Sequence, residues 1–426
     1  MKYYSTRNKN ETVSFAVAAL AGLAPDGGLF VPQEIPQYPA HVKSSLGSMA
    51  FTDIAFETIK PYVDEEITDG VLADITASAF TFDAPLVAVA DRFAVELFHG
   101  PTAAFKDFGA RFMARAFSWL RRGEDKPLHI LVATSGDTGG AVADGFFEVE
   151  GINVTVLYPK GRVTPLQERQ IAGLGKNISA LEVEGSFDDC QRLVKAALAD
   201  EELNKRMSLS SANSINISRL IPQAVYYSAS AGRACATLCV PSGNFGNLTA
   251  GLYAMKMGAP VHQFVAATNI NKTFPDYLDS GEYLARISQA TISNAMDVGA
   301  PSNFERMSAH FTLDEMRRII SGVSVGDEET RETIKRIHDQ TGYFLDPHSA
   351  VGWKGVDKLI EKNKIGKGAV GILCTAHPAK FSETVEPLTG APPVPLSLSR
   401  AMEREVKAKT IPAEVSALIE NLKGNN

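Results

Sequence analysis

From about residue 85 onward, short apolar runs alternate with stretches in which apolar residues recur every three or four positions. The apolar runs at 129–133, 153–158, 178–183, 237–240, 263–267 and 369–375 predict strands. The periodic stretches at 108–120, 141–149, 166–173, 187–203, 218–231, 248–257 and 351–362 predict helices. Strands separated by such helices are βαβ units, so the body is expected to be α/β, a doubly wound and mostly parallel sheet. Residues 1 to about 90 have a different texture. A short β-like start leads into a helical run at 13–21 that stops at Gly22. A turn-rich loop follows, Ala24-Pro25-Asp26-Gly27-Gly28, and amphipathic segments begin near Asp53 and Asp69. This part reads as a mostly helical N-terminal domain with its Gly-Gly loop turned toward something else. The pattern shows no internal repeat and no low-complexity segment.

Composition narrows the class. A chain of 426 residues, 45% hydrophobic and 21% charged, suits a globular protein of two or three domains. A formal net charge of −7 argues against nucleic acid, and any anionic substrate would need a local basic pocket. Cys190, Cys235, Cys239 and Cys374 show no CxxC pairing and read as buried, reduced thiols. No signal-like start and no membrane-length apolar run is apparent, so the expected location is cytoplasmic. Metal-ligand spacing is absent.

Chemistry gathers at four stretches. Lys106 lies between Phe105 and Phe108, after the turn Gly100-Pro101 and at the start of a helical run. Aromatic walls disfavour an ammonium and lower its pKa, which lets a lysine hold an aldehyde as a Schiff base; an exposed lysine capping a helix is the plain alternative. Ser242-Gly243-Asn244-Phe245-Gly246-Asn247 runs from a strand into a helix, where small residues let backbone amides close on an anion. It lacks a P-loop lysine and suits a fixed cofactor phosphate, or is only a tight turn. Thr134-Ser135-Gly136-Asp137-Thr138-Gly139 repeats that grammar as a second anion loop, or as simple helix capping. Thr375 ends another strand and offers a hydroxyl to a ring nitrogen; the nearby His377 reads as structural. Candidate cations are Lys160, Arg162, Arg219 and Lys272, each also readable as surface charge. The GxGxxG at 366–371 leads into a strand instead of opening a helix, so its dinucleotide reading fails, and the basic turn at 362–367 reads as solvated. A tuned lysine, a phosphate loop, a second anion loop and a hydroxyl are what pyridoxal phosphate needs.

These residues closely resemble the bacterial threonine synthase family, fold-type II (tryptophan synthase β-like) pyridoxal-phosphate enzymes. The most specific motifs are 99–109, 135–139, 211–219, 242–247 and Asn294-Ala295-Met296-Asp297. Ala103 departs from the larger apolar residue common there, and the last thirty or so residues match most loosely. The resemblance implies a cytoplasmic carbon–oxygen lyase that converts O-phospho-L-homoserine and water to L-threonine and phosphate. It implies Lys106 as the catalytic, cofactor-bearing lysine, Gly243, Asn244, Phe245, Gly246 and Asn247 as the phosphate holders, and Thr375 as the partner of the ring nitrogen. Ser135, Asp137 and Thr138 would lie against the amino-acid end of the substrate, with Asn213, Ser214 and Arg219 lining the pocket. The implied domains are 1–90, a lysine-bearing 91–235 and a phosphate-binding 236–426, expected to close over the substrate, as monomer or homodimer, with no nucleic-acid or membrane partner. A phospho-amino-acid lyase or serine/threonine dehydratase of the same cofactor group remains an alternative, as does a cofactor-free binding relative.

Overall fold

The computed structural model describes residues 1–63, 65–366 and 368–424; Lys367, within the GxGxxG and the basic turn, lies outside them. The body is built on two parallel sheets. The larger has the strand order Ile320–Ser324, Gln263–Thr268, Thr237–Pro241, Val370–Cys374, Arg92–Glu96, Leu86–Val89, and only the last pair is antiparallel. The smaller is wholly parallel, in the order Ala408–Pro412, Ile178–Glu184, Ile152–Pro159, Leu128–Ala133, Leu209–Ser211. Strands such as Leu128–Ala133 and Val370–Cys374 are buried at every position, as expected where helices cover both faces.

The expected helices form, with two breaks. The 187–203 stretch divides into Phe187–Ala199 and Glu201–Met207, because the Asp200 carboxylate accepts from the Leu203 N–H and starts a new helix. The 218–231 stretch divides at Pro222, which has no N–H to continue the ladder, into Ile217–Leu220, a 3₁₀ turn, and Ala224–Arg233. The sheets also cross the division expected at 235. Arg92–Glu96 pairs with Val370–Cys374, and Ala408–Pro412 joins the sheet that carries Leu128–Ala133. Parallel pairing needs only a crossover connection, so strands distant in sequence can share a sheet. Four buried cysteines are free. Among the described residues no helix is long and apolar enough to cross a membrane.

The N-terminal part contains four helices and a three-stranded antiparallel sheet, Asn8–Val13, Tyr3–Ser5, Phe30–Pro32. Its Gly-Gly loop lies against residues 5–7, and these in turn reach the helix Asn303–His310: Glu305 accepts from Thr6 Oγ1 (2.6 Å) and Arg7 Nε (3.0 Å). Beside them Arg306 is fully buried and donates to the carbonyls of Phe30 (3.1 and 2.9 Å) and Ile215 (2.8 Å) and to Asn303 Oδ1 (2.6 Å). One planar guanidinium thereby joins the N-terminal sheet to the 213–219 loop. Arg306→Met should leave those carbonyls unpaired and cost about 3–5 kcal/mol in urea unfolding, with Arg306→Lys recovering only a minor part. A loss within experimental error for Arg306→Met would contradict this role.

Candidate active site

The four stretches that gather the chemistry each lie beyond the carboxyl end of a parallel strand, where ligands bind in open α/β sheets. Two adjoining cavities meet there, and Phe105, Lys106, Asn247 and Ala295 line both. Lys106 opens the helix Lys106–Leu120. The segment before it is laid against the end of strand Val370–Cys374: Phe105 N–H donates to the Thr375 carbonyl (2.9 Å) and His377 N–H to that of Ala103 (3.0 Å). That pairing brings Lys106 and Thr375 to the same cavity.

Of the two phenylalanines, Phe105 stands at the ammonium, its ring centre 4.8 Å from Nζ. Phe108 instead packs among Phe51, Phe80, Phe82 and Tyr226, because position 108 of the helix faces the core. Burial pulls the Lys106 ammonium down to about 8; Asp137 opposes this, while Arg219 and Lys380 add to it.

The 242–247 loop has the shape of an anion cradle. Gly243 is pressed against the facing turn, where a Cβ would come within 2.7 Å of the Ala295 carbonyl oxygen and 2.8 Å of Met296 Cα. Phe245 adopts the left-handed conformation (φ 60°), held by packing of its buried ring 4.6 Å from Phe274. The helix Gly246–Met257 then begins without a side-chain cap, leaving N-terminal amides for a ligand. Asn247 Oδ1 accepts from the hydroxyls of Tyr226 (2.6 Å) and Tyr227 (2.7 Å), and its buried Nδ2 has no partner among the described residues. An unpaired donor, uncapped amides and a glycine that permits close approach fit a phosphate group.

The remaining candidates separate by cavity. Ser135, Thr138, Asn213, Ser214, Arg219 and Asn244 line the larger one with Gly246. Asn213 is engaged at both amide ends by the backbone of Ala133, and Ser214 Oγ accepts from Asn244 Nδ2 (2.5 Å). Arg219 is buried, which lowers its guanidinium to about 10, and its Nε has no partner among the described residues. Asp137 is not with this group. It lines the smaller cavity, paired with Lys380 (Nζ–Oδ1 2.7 Å), because it is the first residue of the helix Asp137–Phe146 and points back across the strand end. Gly136 leaves it room: its φ is 140°, and any Cβ would strike the Gln167 amide that also donates to Asp137.

Lys160 and Lys272 are exposed ion-pair partners of Glu182/Glu184 and Asp276. Arg162 is partly exposed and lines neither cavity. His377 caps the 3₁₀ turn Pro378–Phe381 through the Ala379 N–H, a structural role. Sequence reasoning missed Lys380, Gln167 and His348. His348 lines the smaller cavity; its Nδ1 bonds Asp346 Oδ1 (2.8 Å), and its Nε2 accepts from the Ala295 N–H (3.2 Å). Asp346-Pro347 is a visible helix start, but nothing in the pattern links it to residue 295.

Three family models match the chain: one described as pyridoxal-phosphate dependent enzyme over residues 92–376, one as threonine synthase N terminus over 2–80, and one as threonine synthase, C-terminal over 349–421. The threonine synthase of Escherichia coli (strain K12) is 40% identical over 427 residues, covering 98% of each chain. The crystal structure of the Escherichia coli threonine synthase superimposes with a TM-score of 0.93 at 39% identity, over 100% of both chains. The pyridoxal-phosphate-bound threonine synthase from Brucella melitensis superimposes with a TM-score of 0.90 at 37% identity, over 100% of this chain and 99% of that one.

The close approach at Gly243 generates a direct test. Gly243→Ala should force the 295–296 turn outward and weaken pyridoxal-phosphate binding by about tenfold or more, read by titrating the cofactor-free protein. Unchanged affinity would mean that the loop does not need this closeness.

Proposed function

The chain belongs to the threonine synthase family of pyridoxal-phosphate-dependent enzymes, and on that premise we propose that it converts O-phospho-L-homoserine and water to L-threonine and phosphate as a carbon–oxygen lyase. The observation that carries this reading is one half-buried lysine shared by two cavities, the smaller with a phosphate cradle and the larger with hydroxyls and an arginine.

Gly243, Asn244, Phe245, Gly246 and Asn247 would hold the cofactor phosphate through backbone amides and the Asn247 Nδ2, and Thr375 would offer its hydroxyl to the ring nitrogen. Pyridoxal phosphate, when bound, supplies the sink for electrons released at the substrate's reacting carbons. Lys106 Nζ takes the proton from Cα and later one from Cβ, a task that a lysine with its pKa near 8 performs close to neutral pH. Phosphate departs from Cγ, the two protons taken from Cα and Cβ return to Cγ and Cα, and water adds its hydroxyl at Cβ while its proton leaves with the phosphate. Ser135 and Thr138 bind the amino-acid end with short hydroxyls beside a helix start. Apart from Lys106, Arg219 is the only basic residue among the described residues lining the larger cavity, so it is assigned the substrate phosphate. Asn213 and Ser214 position the neighbouring backbone and Asn244.

Purified protein with O-phospho-L-homoserine should release phosphate and threonine in equal amounts, and Lys106→Ala should abolish both together with the visible cofactor band. Ketoacid in place of threonine would move the chain to the phospho-amino-acid lyases or serine/threonine dehydratases instead. Arg219→Leu should lower kcat/KM by about 10²-fold or more, with little change in cofactor affinity.

A further inference from the structure

We infer that Lys380, acting through Asp137, is a positioning residue that keeps the Lys106 amine out of an ion pair and so available to an aldehyde. The inference rests on Lys106 being the cofactor lysine. Lys380 is 1% exposed and Asp137 5%; Asp137 lines the Lys106 cavity, and Lys380 lines a separate pocket with Thr164, Leu166 and Ala379. The contacts are specific. Lys380 Nζ lies 2.7 Å from Asp137 Oδ1 and donates to the Thr102 carbonyl at 2.8 Å. Gln167 Nε2 donates to the same Asp137 oxygen at 2.9 Å, while Gln167 Oε1 accepts from the Thr164 N–H, so the amide cannot turn away. Lys106 Nζ, in contrast, has no hydrogen-bond or ion-pair partner among the described residues and rests over the Phe105 ring.

Charge balance explains why the arrangement matters. Lys106 and Lys380 both act on the one Asp137 carboxylate, and one carboxylate neutralises one ammonium. Direct contact assigns Asp137 to Lys380. Lys106 is left as the uncompensated cation, the group that gains by losing its proton. Burial pushes the Asp137 carboxyl up, but Lys380 and Lys106 with the bonds from Lys380 and Gln167 hold it at about 2, so it stays ionised at neutral pH. None of the other titratable groups around this cluster acts on Lys106 as a second counter-charge. Arg219 adds positive charge. Asp107, bonded to Thr102 N–H (2.9 Å) and Oγ1 (2.5 Å), is pushed by burial up to about 7; above that pH its charge acts on Arg219 and Lys380, not on Lys106. His377 is lowered by burial to about 4, and His348 is engaged by Asp346 and Ala295.

Without Lys380, the Asp137 carboxylate is free to turn to Lys106 and fix its proton. Without Asp137, Lys106 faces only cations. The two substitutions therefore move the same titration in opposite directions. The test uses the full-length chain freed of cofactor, with added pyridoxal phosphate, borohydride trapping and mass spectrometry of the Lys106 peptide. The capture rate is followed from pH 6 to pH 10. The wild-type rate should rise with a midpoint near 8. Lys380→Met should raise that midpoint by about one pH unit or more, lowering capture at pH 7 about tenfold, and Lys380→Arg should restore the wild-type profile. Asp137→Asn should lower the midpoint below wild type, and keeps the inference open to failure if Lys380→Met does not fold. Identical midpoints in wild type and either variant would overturn it. A merely structural role would reduce capture at every pH alike without moving the midpoint. Because capture is read without turnover, this outcome is independent of whether threonine is the product.

Discussion

Burying an ammonium costs several kcal/mol unless a counter-charge or a lost proton offsets it. The active centre is organised around that cost at Lys106. The lysine occupies the first position of a helix, where it carries no i−4 constraint and projects off the end of the core instead of into it. Its neighbours are arranged to withhold compensation: an aromatic face at 4.8 Å, an arginine, and a carboxylate already taken by another lysine. Each is tolerable only because it has partners of its own. Asp137 has Lys380 and Gln167, and Arg219 has the Ala212 carbonyl. The unfavourable burial of one group is thus spread over hydrogen bonds contributed by several loops.

Those loops come from both sheets, which makes the fold a requirement of the site. The Lys106 segment and Thr375 follow adjacent strands of the larger sheet, and the phosphate cradle follows the next strand across. Asp137, Ser135 and Thr138 follow the smaller sheet. Parallel strands put all their carboxyl ends on one side, so loops distant in sequence converge without special connections. Arg306 extends the same frame by joining the N-terminal sheet to the loop that carries Ser214 and Ile215. The N-terminal part shares its largest apolar core with the body, with Tyr3, Phe15, Tyr62 and Phe108 in one cluster.

What could be read from the sequence follows this division. Strands buried on both faces, such as Val370–Cys374, are continuous apolar runs and were legible. Ala408–Pro412 is an edge strand buried only at Ile411, and Leu209–Ser211 has three residues, so neither carries a pattern. Motifs made of consecutive residues, such as 242–247 and 134–139, could be found because strand, loop and helix start are contiguous. Lys380 carries no signal of its own beyond the strand end at Thr375. Its partner lies 243 positions earlier and is visible only once two sheets have met. Asp137 was legible as polar chemistry, but its direction was not, since a first-turn carboxylate can face either cavity. His348 escaped for the same reason: its function is a bond to the backbone of Ala295, which no side-chain pattern records.

The assignment of a hydroxyl at Thr375 bears on how much the lysine must do. A carboxylate at that position would keep a pyridine nitrogen protonated and strengthen electron withdrawal; a hydroxyl does not impose a charge. With a weaker sink, proton removal at the substrate's α-carbon leans harder on the base and on its placement. A base at about 8 serves this better than one near the ordinary lysine value, because a useful fraction is neutral at physiological pH while basicity is retained. The Asp137–Lys380 pair and Thr375 are therefore two sides of one compromise. On the proposed assignment of Thr375, the site forgoes a charged partner for the ring and invests in charge control around the amine. Both features issue from the same strand end, since Thr375 and Lys380 stand five residues apart beyond Val370–Cys374. A change in that turn would disturb the electron sink and the base together.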